Sequence, residues 1–284
     1  MNTKEDYDNI GNLLASFVEN WQSHEDEHLD DLFYQDVKCC ISTSFEEDSC
    51  LNGLYHLKRF VKETPEHDRY EYQIGNRIIR VSGTDGYSVC ETAIKAYFHG
   101  ECFDYIAEIA CRYRKQGSWK ISEIRIDIQD FDSPLRDVFA KSWYFSKKLA
   151  ILEPGVHMPC IMPELDNPYY QIPECGYEKS EEEKIEECFA KYNFGKDNLL
   201  YIWVKETLSD RFENDDKKHF IAYNKFVTQR YRYNFSSCRP LSITVDNDEA
   251  IGMFSELVPV RKNKEVRFIK EDGKWTILNI QGGK

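Results

Sequence analysis

The sequence has no run of apolar residues close to the roughly 20 that a helix needs to cross a bilayer. Its first residues also lack the basic and apolar regions of a secretion signal, so we expect a cytoplasmic protein. Glycine-rich phosphate loops and the Gly-x-Ser-x-Gly turn of serine hydrolases are absent as well. The sequence therefore supports neither nucleotide binding nor serine hydrolase chemistry, and we expect no cofactor.

The 10 cysteines include no Cys-x-x-Cys pair and follow no regular spacing, which argues against a disulfide or metal framework. We interpret them as reduced and mostly buried, with adjacent Cys39 and Cys40 on opposite faces of a strand. The segment from His24 to His28 has the His-Glu-x-x-His spacing of a zinc helix. Because acidic residues surround it at the junction of two short helices, we interpret it as a solvated connection and expect no metal site.

Negative charge is concentrated in the first half of the chain, whose total formal net charge is -13 at pH 7. Residues 1–132 carry 14 Lys and Arg against 26 Asp and Glu, whereas residues 178–284 carry 19 of each. An acidic surface repels phosphate backbones and anionic lipids, so we expect neither a nucleic acid nor a membrane as partner. A basic protein surface stays open as a partner.

The order of apolar patterns predicts helices first and an antiparallel sheet afterwards, which is an α+β fold. Apolar residues recur at helical spacing in the first helix: Ile10, Leu13, Leu14, Phe17, Val18 and Trp21. A short helix, a strand and a third helix are predicted at 29–33, 37–42 and 54–62. Four β-rich runs separated by turn signals then follow at 70–82, 87–98, 103–115 and 119–129.

The chain of 284 residues is long enough for two domains, and the second half repeats the order of the first. A helix is predicted to start at Ser133, and five of the nine prolines follow between Pro154 and Pro173. Helical patterns return over 185–227, and β-rich segments run from Leu241 onward. We predict one domain over 1–132, a helix and proline-rich connector over 133–177, and a shortened second domain over 178–284.

Four short segments of the first half have counterparts in the second. The paired segments are 29–33 with 208–212, 59–61 with 225–227, 81–86 with 245–250, and 117–121 with 273–277. The offset between partners shrinks from 179 to 156 residues along the chain, as deletions in the second copy would produce. We interpret this as a degenerate tandem duplication.

This element order, ending in a hairpin with Gly-x-Trp-x-Ile at Gly117 to Ile121, resembles the nuclear transport factor 2-like superfamily and its SnoaL-like branch. The resemblance covers 7–130 well and 180–281 less well. It implies two tandem cone-shaped domains of cystatin-like α+β fold, each with N-terminal helices packed on a curved antiparallel sheet. It also implies an intramolecular pseudo-dimer, with the chain as a monomer or weak homodimer. Members of this superfamily include enzymes, ligand binders and dimerisation modules, so the fold leaves the function open.

The resemblance also directs attention to residues that could line the first cone. The isomerase-like members carry polar groups at positions that fall on Phe17, Ile41 and Ile109 here, and apolar side chains cannot do acid–base chemistry. A SnoaL-like dehydratase, isomerase or cyclase would instead use other titratable groups, of which the candidates are Asp36, His67, Tyr72 and Glu108. The alternative reading makes His67 a solvated loop residue and Asp36 the residue that ends a helix.

Three functions remain open from the sequence. The leading hypothesis is a non-enzymatic tandem protein that holds a small apolar molecule in the first cone, with the second copy as its packing partner. The pocket would be lined by Phe17, Trp21, Ile41, Tyr72 and Ile109. The alternatives are the SnoaL-like enzyme and a protein-interaction module with a basic partner. Two titratable groups converging in an open interior would favour the enzyme, whereas an interior filled by its own side chains would favour the interaction module.

Overall fold

The computed structural model describes residues 2–43, 46–63, 69–98, 100–130, 176–197, 201–213, 237–257 and 261–282. The helix expected after Ser133, the proline-rich connector and the helical pattern at 220–227 lie outside these ranges. The chain divides into two compact units. Unit 1 comprises Met1–Glu71, Ile79–Cys90 and Lys95–Tyr177, and unit 2 comprises Tyr72–Ile78, Glu91–Ile94 and Glu178–Lys284.

Residues 2–130, as far as the structure describes them, combine three helices with a six-stranded sheet in the order β2-β1-β6-β5-β4-β3. The helices are α1 (Lys4–Ser23), α2 (Leu29–Leu32) and α3 (Leu54–Glu63). The strands are β1 (Phe33–Thr43), β2 (Glu46–Asn52), β3 (Arg69–Ser82), β4 (Asp85–Phe98), β5 (Glu101–Gln116) and β6 (Ser118–Asp130). Strand β1 runs parallel to β6, while β5 pairs antiparallel with β6.

The α+β prediction is confirmed, and the four long strands begin and end within two residues of their predicted limits. Strand β2 was not predicted, because its acidic start at Glu46 and Glu47 is typical of a loop rather than of a strand. It pairs antiparallel with β1 at the edge of the sheet.

Helix α1 positions most of the core of unit 1. A capping box starts it, in which the Thr3 side chain accepts from the Asp6 backbone and Asp6 accepts from the Thr3 backbone. It ends at His24, whose backbone is left-handed with φ of 59°. Five of the six residues of its predicted apolar stripe are fully buried, namely Ile10, Leu14, Phe17, Val18 and Trp21, whereas Leu13 is half-buried.

In its described residues, unit 2 combines two helices with a four-stranded antiparallel sheet in the order β10-β9-β8-β7. The helices are α4 (Glu181–Asp197) and α5 (Tyr201–Thr207). The strands are β7 (Cys238–Asp246), β8 (Glu249–Glu256), β9 (Lys262–Glu271) and β10 (Lys274–Gly282). The apolar face of α4 packs on the sheet, where the rings of Phe189 and Phe254 lie 4.2 Å apart.

A buried polar network explains why two short pieces of β3 and β4 group with unit 2. Gln73 donates to the backbone oxygen of Ser237 at 2.9 Å, and the Ser237 hydroxyl donates to the backbone oxygen of Glu91 at 2.8 Å. Asn193 of α4 donates to the Asn76 side chain at 2.9 Å, and Asn76 donates to the Glu91 carboxylate. Buried hydrogen bonds of this kind fix one arrangement of the backbone, because breaking one leaves a desolvated polar group.

The cysteines require one correction. Cys40 is disulfide-bonded, so the interpretation of all cysteines as reduced is wrong there. Its neighbour across the β1–β2 pair is Cys50, and the sequence did not reveal this proximity because β2 was not predicted. Cys39 points to the other face as expected, and burial raises the pKa of its thiol far above the ordinary value.

Candidate functional site

Four of the five apolar and aromatic residues expected to line a pocket in unit 1 are fully buried. Phe17, Trp21, Ile41 and Ile109 each have no exposed surface. A side chain beside a cavity large enough for water would keep some accessible surface, so no such space adjoins these four. The ring of Phe17 stacks on Trp21 at 6.2 Å and meets the ring of Phe33 edge-on at 5.4 Å.

The sheet completes this packing because its apolar residues align across neighbouring strands. Ile41 on β1 and Ile109 on β5 both pair with Ile126 on the strand between them. Phe17 thus contacts Trp21, and Ile41 and Ile109 share Ile126 as their neighbour in the sheet. Tyr72, the fifth of the expected pocket residues, is half-buried on β3 and belongs to unit 2.

The four candidate acid–base residues have different surroundings. Asp36 is exposed on β1, and it makes no hydrogen bond or ion pair with any residue that the structure describes. Glu108 is half-buried in unit 1. Because it directly precedes Ile109 in β5, its side chain lies on the opposite face of that strand. Burial, with a smaller contribution from the Glu108 charge, raises the pKa of Tyr87. His67 lies outside the described residues.

A charged cluster at the start of α1 was not anticipated from the sequence. The Lys115 ammonium donates to Asp6 Oδ1 at 2.6 Å, and the Trp119 indole N–H donates to the same oxygen at 2.8 Å. The Lys115 ammonium also lies 5.7 Å from the centre of the Trp119 ring. Burial alone would raise the pKa of Asp6, but the hydrogen bonds from Lys115 and Trp119 outweigh it and hold that pKa well below its usual range. We call this group the acid–lysine–tryptophan clamp.

Unit 2 contains the same clamp, formed by Glu181, Lys270 and Trp275. Lys270 donates to Glu181 Oε2 at 2.8 Å, and the Trp275 indole donates to that oxygen at 2.7 Å. The Lys270 ammonium lies 5.6 Å from the centre of the Trp275 ring. Hydrogen bonds from Lys184, Lys270 and Trp275 lower the pKa of Glu181 to about 2. The clamp thus joins the first turn of a helix to a β-hairpin in both units.

The backbone around the two clamps also corresponds. Lys115 N–H donates to the Thr84 oxygen at 2.9 Å, and Lys270 N–H donates to the Asp248 oxygen at 2.8 Å. Thr84 and Asp248 are equivalent in the paired segments 81–86 and 245–250. The Gly-x-Trp-x-Ile signal in the sequence could locate the tryptophans, but the acids differ in type and position and gave no signal.

One pairing of segments in the sequence is wrong by four residues. Leu208 forms a parallel bridge with Ile277, whereas in unit 1 the parallel bridge to the equivalent Ile121 comes from Phe33. Leu208 therefore corresponds to Phe33 and not to Leu29. A shift of four residues is about one helical turn and preserves an apolar helical pattern, which is why the sequence comparison could not detect it.

Comparison with known proteins gives similarity of fold only. No family model and no curated protein matches the chain. Among solved structures, an NTF2-like protein with a cystatin-like fold from Novosphingobium aromaticivorans is 15% identical, with a TM-score of 0.38, over 47% of this chain and 88% of its own. A putative dehydratase from the NTF2-like family of Streptomyces avermitilis is 14% identical, with a TM-score of 0.38, over 44% of this chain and 96% of its own.

A third similar structure is the S. rosetta CaMKII hub, 10% identical with a TM-score of 0.38 over 43% of this chain and 95% of its own. Solved structures of nuclear transport factor 2-like proteins are thus among those similar to this chain. In the described part of the chain, no helix is long and apolar enough to span a membrane. Within that part, no cluster of His, Cys, Asp and Glu could hold a metal ion.

Proposed function

We propose that this chain is a non-catalytic tandem of two nuclear transport factor 2-like units that binds a basic protein through its acidic first half. One observation carries the proposal: Phe17, Trp21, Ile41 and Ile109 fill the interior of unit 1 and have no exposed surface. An enzyme or small-molecule binder of this fold needs an open interior with polar groups directed into it. Here the interior has neither an open space at these residues nor a described pair of acid–base groups.

The two clamps support the duplication in this proposal. The features that recur are those that hold a helix to a hairpin: a carboxylate, a lysine and a tryptophan in each unit. The parallel bridges to Ile121 and Ile277 recur as well. A duplicated chain that keeps its structural contacts is consistent with a scaffold role for both units. The intramolecular pseudo-dimer remains a prediction.

The distribution of charge supports a basic partner. Residues 1–132 carry 26 acidic against 14 basic side chains. A surface that carries charge of one sign accelerates association with a partner of opposite charge, and this gain in association rate falls as the ionic strength rises. A basic protein therefore suits this half of the chain better than nucleic acid or an anionic lipid does.

Native mass spectrometry of the full chain, purified from cells without denaturation, tests the proposal. We expect the mass of the polypeptide alone for the unbound protein, and complexes with a basic protein that dissociate as salt is raised. A small molecule retained at one per chain, released on denaturation and lost in Ile109→Trp, would contradict it. The conservative Ile109→Val variant is the control, because it keeps the apolar interior.

A further inference from the structure

An open groove runs along one side of α1 in unit 1, beside the clamp. Its volume is about 600 Å³. Helix α1 lines one wall from Thr3 to Ser16, and the β5–β6 hairpin from Lys115 to Trp119 lines the other. At 1.5 Å per residue the helical wall is about 20 Å long, which is the length of about six residues of extended chain.

The helical wall presents polar groups that have no partner in the part of the chain that the structure describes. Asn9 and Asn12 are exposed and line the groove with Ser16, one helical turn after another. The side chains of Asn9, Asn12 and Glu5 make no hydrogen bond or ion pair with any residue that the structure describes. Carboxamides offer both donors and acceptors, and those are the groups that a peptide backbone requires.

The floor of the groove adds limited apolar surface. Leu13 was expected in the buried stripe of α1, but it is only half-buried and lines the groove instead. Gly117 and Ser118 are exposed on the opposite rim. Pockets for small molecules are mostly apolar and enclosed, whereas this groove is open and mostly polar. Its shape and lining therefore suit an extended peptide better than a compact ligand.

Charge decides what kind of peptide fits. Glu5 contributes to the groove a carboxylate with no ion-pair partner among the described residues, while the charges of Asp6 and Lys115 offset each other within the clamp. The surrounding half of the chain is strongly acidic. Lysine or arginine side chains would therefore find complementary charge here.

We propose that this groove binds an extended, basic peptide segment of a partner protein, with the backbone held by Asn9 and Asn12 and a cationic side chain held by Glu5. This inference rests on the proposed function and gives the site through which a basic partner would bind.

The test uses the full chain and two fluorescent nonapeptides, one of alternating lysine and serine and one of alternating glutamate and serine. We expect the lysine peptide alone to bind in fluorescence anisotropy, with affinity falling as salt rises. In NMR spectra, the amide resonances of residues 3–16 and 115–119 should shift when the lysine peptide is added.

Glu5→Gln and Asn9→Ala should each weaken binding of the lysine peptide about threefold to tenfold, which is the effect of losing one hydrogen bond. Asn12→Trp, at an exposed helical position, should block the groove.

Glu19→Gln is the matched control, since Glu19 is an exposed acid on the same helix and is not among the groove residues. It should leave the affinity unchanged. Equal weakening by Glu5→Gln and Glu19→Gln would overturn the groove assignment in favour of general acidity, as would binding that Asn12→Trp does not affect. Resonance shifts that depend on protein concentration without peptide would assign the groove to a second copy of the chain. A small molecule found by native mass spectrometry would refute the proposed function separately.

Discussion

The clamps of the two units have the same geometry but differ in which residues supply it. In unit 1, Asp6 serves both as the clamp acid and as the third residue of the capping box. In unit 2 these roles are divided, since Glu181 forms the clamp while Glu183 receives a hydrogen bond from the Ser180 backbone. The longer glutamate side chain reaches the indole from the first residue of the helix, whereas aspartate does so from the third.

The hairpins differ in a corresponding way. Lys115 precedes its tryptophan by four residues, and Lys270 precedes its tryptophan by five. The longer turn of unit 2 places Asp272 and Gly273 in the left-handed region, with φ of 50° and 77°. The turn of unit 1 uses Gly117 alone, with φ of 83°. The same contacts thus occur in both units although their spacing in the sequence differs, which is why local sequence comparison shows so little similarity between the two hairpins.

The largest expected effect comes from removing either tryptophan. Trp119 and Trp275 are 5% and 6% exposed, so Trp119→Ala and Trp275→Ala should each lower the free energy of unfolding by about 3–5 kcal/mol. Urea unfolding followed by circular dichroism measures this. Trp119→Phe keeps most of the apolar burial and should cost less. A negligible effect of one alanine variant beside a large effect of the other would show that the clamps are not equivalent.

Removing the lysine should affect the two units unequally. Lys115→Met leaves Asp6 with hydrogen bonds from Trp119 and the Thr3 backbone, whereas Lys270→Met leaves Glu181 with a second cation, Lys184, at 2.8 Å. Both lysines are partly exposed, so we expect losses of about 1 kcal/mol or less, the larger one in unit 1. Denaturant unfolding of both variants at low salt checks this order. Lys4→Met is the control, because Lys4 is an exposed lysine of the same helix, paired with Asp8 and 5.8 Å from the centre of the Tyr177 ring, and it takes no part in the clamp.

The contribution of each clamp carboxylate to stability should depend on pH in a different way, and this effect is smaller than those of the variants above. A carboxyl group whose pKa is lowered by folding stabilises the protein above its unfolded pKa, and this contribution is lost as the pH falls to the folded pKa. For Glu181 the window runs from about 4.3, the ordinary glutamate value, down to about 2. The stability difference between wild type and Glu181→Gln should therefore disappear across this range.

For Asp6→Asn the same difference should persist to lower pH, because the pKa of Asp6 is held further below its usual range. Unfolding curves from pH 7 down to pH 2 would show the two variants diverging, with the Glu181→Gln difference lost first. A difference that does not change with pH in either variant would show that the carboxylate charge contributes nothing to its clamp.

The sequence predicted the helices and strands better than it predicted the packing inside unit 1 or the clamp, and the reasons are physical. Alternating apolar residues and turn signals determined the long strands, and helical spacing determined the buried face of α1. The sequence could not show that Phe17 and Trp21 pack together tightly enough to fill the interior, since apolar residues can equally line a pocket or occupy it. It also could not show that Asp6 and Lys115, 109 residues apart, form an ion pair.

The central claim, a filled interior in unit 1, is tested most directly by crystals of the full chain pressurised with xenon. Xenon enters apolar cavities and would mark any space beside Phe17, Trp21, Ile41 and Ile109. We predict no xenon there in the wild-type protein and a bound atom in Ile109→Ala, a variant that should lose about 2–5 kcal/mol of stability through the cavity it creates. Xenon or a retained small molecule at these residues in the wild-type protein would contradict the account.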